Sequence, residues 1–249
     1  MIPVPLNFLR ELVPAGDVGV MQEGPFLLES GWRTGGIVVG DREFRLTIPA
    51  VPDALLDEPG AVVASIEDDR MPYWAFVWPA ALPMAAAVLQ ANWDRSLRVL
   101  ELGCGTGLVG LAALARGQHV TFTDYEPRAV ALAGHNALQN GFSNFAAREL
   151  DWRAPDVEQF PVIVGCDLLY QESACEPLLR LLDRMLLPTG ECWLADGGRP
   201  PAHRFWKIAR EHGYHITIHS RNGELLERPT QDFQLFVVSR PCSARRSNS

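Results

Sequence analysis

The run VLELGCGTGLVGLAAL, residues 99–114, constrains this chain more than any other stretch. It begins as an apolar strand, turns through Gly103, Gly105 and Gly107, and continues as an apolar helix. Glycine loses more conformational freedom on folding than any other residue, so three glycines this close together need a reason. A turn built on them takes up positive φ and lets a ligand reach the backbone with no Cβ atoms between. In an open α/β sheet such a turn lies at the carboxyl ends of the strands, where ligands bind.

The remainder of the chain keeps to that architecture. Pro79 suits the first turn of a predicted helix running to about residue 92. Strands are predicted at 97–102, 119–123, 145–150, 161–166, 191–194, 215–219 and 234–239. Helices are predicted at 108–115, at 128–139 with Asn140-Gly141 as its stop, at 176–187 ended by Pro188 and Gly190, and at 202–212. Strands alternating with helices predict an α/β, Rossmann-like, seven-stranded and mostly parallel sheet, covered on both faces. The last two strands, with little helix between them, read as an antiparallel closing pair. Residues 1–70 differ in texture: β-like pieces at 36–39 and 43–48 between prolines and glycines, a short helix at 6–12, and an acidic stretch at 66–70. The expected organisation is an N-terminal β-rich extension over 1–70, the α/β domain over 71–240, and a polar, disordered tail over 241–249.

Composition excludes several classes. Of the 249 residues, 47% are hydrophobic and 21% charged, which rules out wholesale disorder. The net charge of −8 offers no wide basic face, so nucleic acid is not an expected partner. The longest apolar stretch, 74–89, is broken by Pro79 and Pro83 and is too short to cross a bilayer, so no membrane is expected. Cys104, Cys166, Cys175, Cys192 and Cys242 are odd in number, far apart and without a C-x-x-C pair. They indicate neither a disulfide framework nor a zinc site. No basic segment followed by an apolar run and a cleavage site opens the sequence. A reduced, soluble, cytoplasmic protein is expected; oligomeric state is not legible.

The glycine spacing leaves two cofactors open. Gly105, Gly107 and Gly110 spell the G-x-G-x-x-G of a dinucleotide site, as in an NAD-dependent oxidoreductase. Asp124, at the end of the second α/β strand, serves either reading, because a carboxylate there accepts both ribose hydroxyls. Two features favour S-adenosylmethionine. Glu101, just before the turn, is a poor neighbour for a pyrophosphate and a good one for an ammonium group. Asp151-Trp152 offers an acceptor for an adenine amine and a flat face for the ring. No metal is expected: His212, His215 and His219 straddle a helix end and a strand, and no carboxylates accompany them. Cys104 has no histidine partner and reads as a small filler in the turn.

Three further pieces complete a pattern: PYWAFVWPAAL at 72–82, LDW at 150–152 and DLLY at 167–170. With the glycine turn, they make the sequence resemble the seven-β-strand, class I S-adenosylmethionine-dependent methyltransferases. Over about 68–239 it is similar to the family that includes the electron-transfer-flavoprotein β-subunit lysine methyltransferase and the methyltransferase-like 21 proteins. The resemblance implies that Trp78 closes over the cofactor and that Gly103 and Gly105 lie against its methionine part. It further implies that Asp124 holds the ribose, Asp151 and Trp152 frame the adenine, and the backbone around Cys166 completes the pocket. Asp167 and Tyr170 would face the methyl acceptor, by implication a protein lysine. A small-molecule amine, or a cofactor-binding module without catalysis, is the alternative. The long N-terminal segment has no counterpart in that family.

Overall fold

The computed structural model describes residues 21, 23–58 and 71–240. The predicted helix at 6–12, the acidic stretch at 66–70 and the tail at 241–249 lie outside the described residues.

Two strands, β1 (Trp32–Val39) and β2 (Arg42–Pro49), form an antiparallel hairpin. After helix α1 (Ala81–Gln90), strands and helices alternate as β3 (Arg98–Leu102), α2 (Leu108–Ala115), β4 (His119–Asp124), α3 (Pro127–Gln139) and β5 (Phe145–Glu149). The chain continues through β6 (Phe160–Cys166), α4 (Cys175–Met185), β7 (Leu186–Asp196), α5 (Pro200–Glu211), β8 (His215–Ser220), β9 (Leu225–Leu226) and β10 (Gln234–Ser239). The large sheet has the order β5-β4-β3-β6-β7-β10-β8-β9. Strands β3 to β7 pair in parallel, and β10 lies antiparallel between β7 and β8. The seven expected strands are present, with the two-residue β9 added as an edge piece on β8.

Side-chain alternation along β3 explains the two-sided core. Val99 packs with the hairpin, α1 and α2, whereas Leu100 and Leu102 pack with α4 and α5. Successive residues of a strand point to opposite faces, so Glu101 shares the side of Val99 and lies beneath α2.

Two boundaries differ from expectation. Helix α4 stops at Met185, and Pro188 and Gly190 sit inside β7 instead of ending the helix. The register of β6 and β7 shifts between Phe160 and Val162, and at such an irregularity a strand tolerates proline and glycine. A Cβ on Gly190 would stand 2.7 Å from the carbonyl oxygen of Pro161. The first helix begins at Ala81, not Pro79, with Ala80 as its N-cap, and the backbone N–H of Ala80, one of the donors that a helix start leaves free, is taken by Asp167 Oδ2, 3.2 Å away.

The hairpin is docked by side-chain amides of α3 and of Asn140, the residue that caps it. Fully buried Asn136 accepts the N–H of Thr47 at 2.8 Å and donates to the carbonyls of Thr47 at 3.1 Å and Thr106 at 2.9 Å. One turn on, Asn140 makes the same pair of bonds to the backbone of Arg45, at 2.8 and 2.7 Å. The buried backbone groups of Thr47 are thereby satisfied, and Asn136 ties the hairpin to the glycine turn. The expected stop of α3 is present, with Gly141 at φ +79°.

Candidate active site

The site lies at the carboxyl ends of β3, β4, β6 and β7. Between β3 and α2 the chain turns through Gly103, Gly105 and Gly107 at φ of +57°, +47° and +80°, values costly for any residue with a Cβ. A Cβ on Gly105 would stand 3.2 Å from the carbonyl oxygen of Trp74. One on Gly103 would stand 2.6 Å from Leu168 Cδ2 and 3.8 Å from the ring of Trp152. The turn is anchored by Cys104 N–H donating to the Thr123 carbonyl at 2.9 Å.

Two buried carboxylates support this turn. Asp124 Oδ2 accepts the N–H of Gly105 at 3.1 Å, and its Oδ1 accepts the N–H of Glu126, also at 3.1 Å. Each oxygen keeps acceptor capacity beyond that bond. Burial pushes the Asp124 carboxyl up to about 6, against the backbone bonds that hold it down. Glu101 Oε2 accepts the N–H of Gly110 at 3.0 Å, and burial raises its carboxyl to about 8. Because both folded-state values lie above those of an unfolded chain, the folded protein holds the extra protons. The contribution of these two groups to stability is therefore present below their unfolded values of 3.8 and 4.5 and is lost as pH rises through about 6 for Asp124 and about 8 for Glu101. Glu101→Gln is expected to flatten that decline by on the order of 1 kcal/mol, read as thermal unfolding temperatures at pH 5.5 and 8. Parallel curves for variant and wild type would show that Glu101 is ionised throughout.

At the end of β6, Asp167 is 7% exposed and is the sole non-glycine with positive φ among the described residues, at +56°. Aspartate tolerates that conformation better than most residues, at a cost of roughly 1 kcal/mol. Its N–H donates to the Ala195 carbonyl at 2.8 Å, and its Oδ2 accepts the thiol of Cys166 at 3.6 Å as well as Ala80 N–H. Its Oδ1 accepts from Arg199 Nη1 in a short charge-assisted contact. The same guanidinium reaches Asp196 Oδ2 at 3.0 Å, while Asp196 Oδ1 accepts the N–H groups of Gly198 and Arg199, both at 2.7 Å. Burial opposes the charge of Arg199, but the two carboxylates hold its pKa above the usual value.

Aromatic rings border this cluster. The Arg199 guanidinium lies 5.6 Å from the centre of the Trp78 ring. Trp78 Nε1 donates to the Tyr73 carbonyl at 2.9 Å, and the two rings meet edge to face at 5.5 Å. Tyr170 meets Tyr73 in the same way at 5.6 Å. Trp78, Asp167 and Tyr170 are thus gathered at one place. Arg199 and Asp196 are site residues that the sequence motifs do not flag. The signal for them is Gly-Gly-Arg-Pro directly after a strand-ending aspartate, a second turn at the sheet's carboxyl edge.

On the other side of the turn, Asp151 is ion-paired with Arg153 at 2.6 Å and borders an open cavity of about 490 Å³. Tyr125 and Leu150 also line it. Backbone free of Cβ atoms, the flat Trp152 ring beside Gly103, and the acceptors Asp124 and Asp151 match the donors and planar ring of an adenosyl cofactor. Among the described residues no group of three or more His, Cys, Asp or Glu is placed to hold a metal, and no helix is long and apolar enough to cross a membrane.

The lysine methyltransferase family matches residues 66–205. The chain is 32% identical over 127 residues to histidine protein methyltransferase 1 homolog of Dictyostelium discoideum, covering 48% of this chain and 41% of that protein. It is 33% identical over 125 residues to protein N-lysine methyltransferase METTL21A of Danio rerio, covering 47% and 57%. The matched part therefore spans about half the length of these relatives. The ribosomal protein L11 methylase of Lactobacillus delbrueckii subsp. bulgaricus has a similar fold. Its TM-score is 0.53 at 21% identity, over 64% of this chain and 77% of that one. With more than half of its residues matched to the family, and with the glycine turn and strand-end acids in place on this fold, the chain belongs to the lysine methyltransferases.

Proposed function

We propose that the protein transfers a methyl group from S-adenosylmethionine to a lysine amine of another protein. The observation that carries this reading is a buried, conformationally strained carboxylate, Asp167, bonded to Ala80 N–H and paired with Arg199, whose guanidinium faces the Trp78 ring. Family membership and the relatives acting on protein lysine or histidine support it. The free thiols Cys104, Cys166, Cys175 and Cys192 support a reducing, cytoplasmic setting.

In this reading Asp124 accepts hydrogen bonds from the ribose hydroxyls, and Asp151 and Trp152 receive the adenine. Gly103 and Gly105 let the methionine part lie against backbone, with Glu101 beneath them. Trp78 and the backbone at Cys166 close the pocket. Bound cofactor supplies an activated methyl on a sulfonium, so the chain's own task is positioning and the exclusion of water. A lysine amine must lose its proton to attack, which at neutral pH costs roughly 4–5 kcal/mol from its reference value. Burial among Tyr73, Trp78 and Tyr170 disfavours the charged amine. Asp167 then orients the amine by accepting one of its hydrogens, and Tyr170 offers an aromatic face.

The test is incubation with methyl-labelled S-adenosylmethionine and a protein extract, followed by acid hydrolysis and amino-acid analysis. Label is expected in methyllysine of proteins other than the enzyme, whose only lysine is Lys207. Label in methylhistidine or only in small molecules would overturn the acceptor. Calorimetric binding of NAD without S-adenosylmethionine would overturn the reaction.

A further inference from the structure

The acids at the ends of β6 and β7 present a conflict that the reaction must resolve. An amine acceptor is attracted by a carboxylate, yet a carboxylate beside it also favours its protonated, unreactive form. Two such carboxylates, Asp167 and Asp196, stand at adjoining strand ends, 7% and 0% exposed. Arg199 lies between them and contacts one oxygen of each through the same Nη1. Its side chain is three-quarters covered, and its guanidinium faces the Trp78 ring. We propose that Arg199 is a positioning residue of the acceptor site, which neutralises one carboxylate of the pair so that the site carries one net negative charge and receives a single alkylammonium side chain.

This inference rests on the reading of Asp167 as the acceptor-facing group. The geometry supports a shared counter-ion over an ordinary surface pair in three ways. Each carboxylate has one oxygen held by backbone donors, Asp167 Oδ2 by Ala80 N–H and Asp196 Oδ1 by Gly198 and Arg199 N–H, and turns its other oxygen to the same Nη1, so Arg199 is the partner that the two acids share. Arg199 starts α5 directly after the turn that Asp196 organises, so its backbone is tied to the acid that its side chain pairs with. A guanidinium stays charged and is more weakly hydrated than an ammonium, which suits it to a buried counter-ion position. Without Arg199 the two acids would hold the arriving amine as a cation. Without one of the acids the guanidinium would repel it.

The charge sum makes predictions of opposite sign. The probes are n-butylammonium, a lysine side-chain fragment, and uncharged 1-butanol. Both are titrated calorimetrically at neutral pH into the full chain saturated with S-adenosylhomocysteine. Arg199→Gln is expected to bind n-butylammonium about tenfold more tightly than wild type, and Asp196→Asn about tenfold more weakly. Affinity for 1-butanol should stay within about threefold in both, and Arg199→Lys, which keeps the positive charge without the planar fork, should bind n-butylammonium more weakly than Arg199→Gln does. A purely structural role would move both probes together. That result, unchanged cation affinities, or no n-butylammonium binding to the wild-type complex would overturn the proposal. If Arg199→Gln does not fold, the downward shift in Asp196→Asn, or its absence, decides the matter. Failure of wild type to bind S-adenosylhomocysteine would instead overturn the methyltransferase reading itself.

Discussion

Asp124→Ala is expected to weaken S-adenosylmethionine binding by about 1.5–3 kcal/mol, the range for hydrogen bonds to a charged group. Calorimetry reads this as roughly a ten- to hundredfold rise in dissociation constant. The structure adds a cost that the strand-end position alone does not reveal. Asp124 also holds the N–H groups of Gly105 and Glu126. Alanine leaves those donors without their acceptor, so the unfolding temperature should fall with the affinity. Asp124→Asn separates the effects, because its amide oxygen can replace one acceptor while the charge is lost. If the asparagine variant binds cofactor like wild type, the ribose is held elsewhere, and the affinity lost in the alanine variant belongs to the turn.

Asp167→Asn is expected to act on transfer and not on cofactor binding. Asparagine tolerates the left-handed backbone at this position and keeps one acceptor oxygen for Ala80 N–H or Arg199. S-adenosylmethionine affinity should stay within about threefold, under roughly 0.7 kcal/mol. The single-turnover rate on the labelled acceptor should fall at least about tenfold, near 1.4 kcal/mol of transition-state stabilisation. Tyr170→Phe should fall less, since the aromatic face remains. Equal losses of binding and rate in Asp167→Asn would assign the residue to the cofactor site. Full activity of both variants would remove them from the acceptor side.

Features set by neighbouring residues are legible in the amino-acid sequence. The short apolar run of the buried strand Arg98–Leu102, glycines demanding positive φ, and Asn140-Gly141 ending α3 all act within a few positions. Their physics is local sterics and hydrogen bonding, so the parallel sheet and the place of the glycine turn follow from the order of residues. Even there, Pro188 and Gly190 mislead. Whether such residues end a helix or sit in a bulged strand depends on the strand that pairs with them.

Which distant groups share charge and hydrogen bonds is a property of the assembled chain. Asn136 meets Thr47 across 89 positions, Asp167 meets Ala80 across 87, and Arg199 meets Asp167 across 32. No periodicity encodes these pairings. They arise because parallel strands bring all their carboxyl ends to one edge, where loops from remote parts of the chain must satisfy one another's buried polar groups. The order of residues is enough to place an acid at the end of β6. That this acid is strained, buried and paired with an arginine from the next strand end is settled at the assembled edge, because burial there removes the water that would otherwise balance its charge.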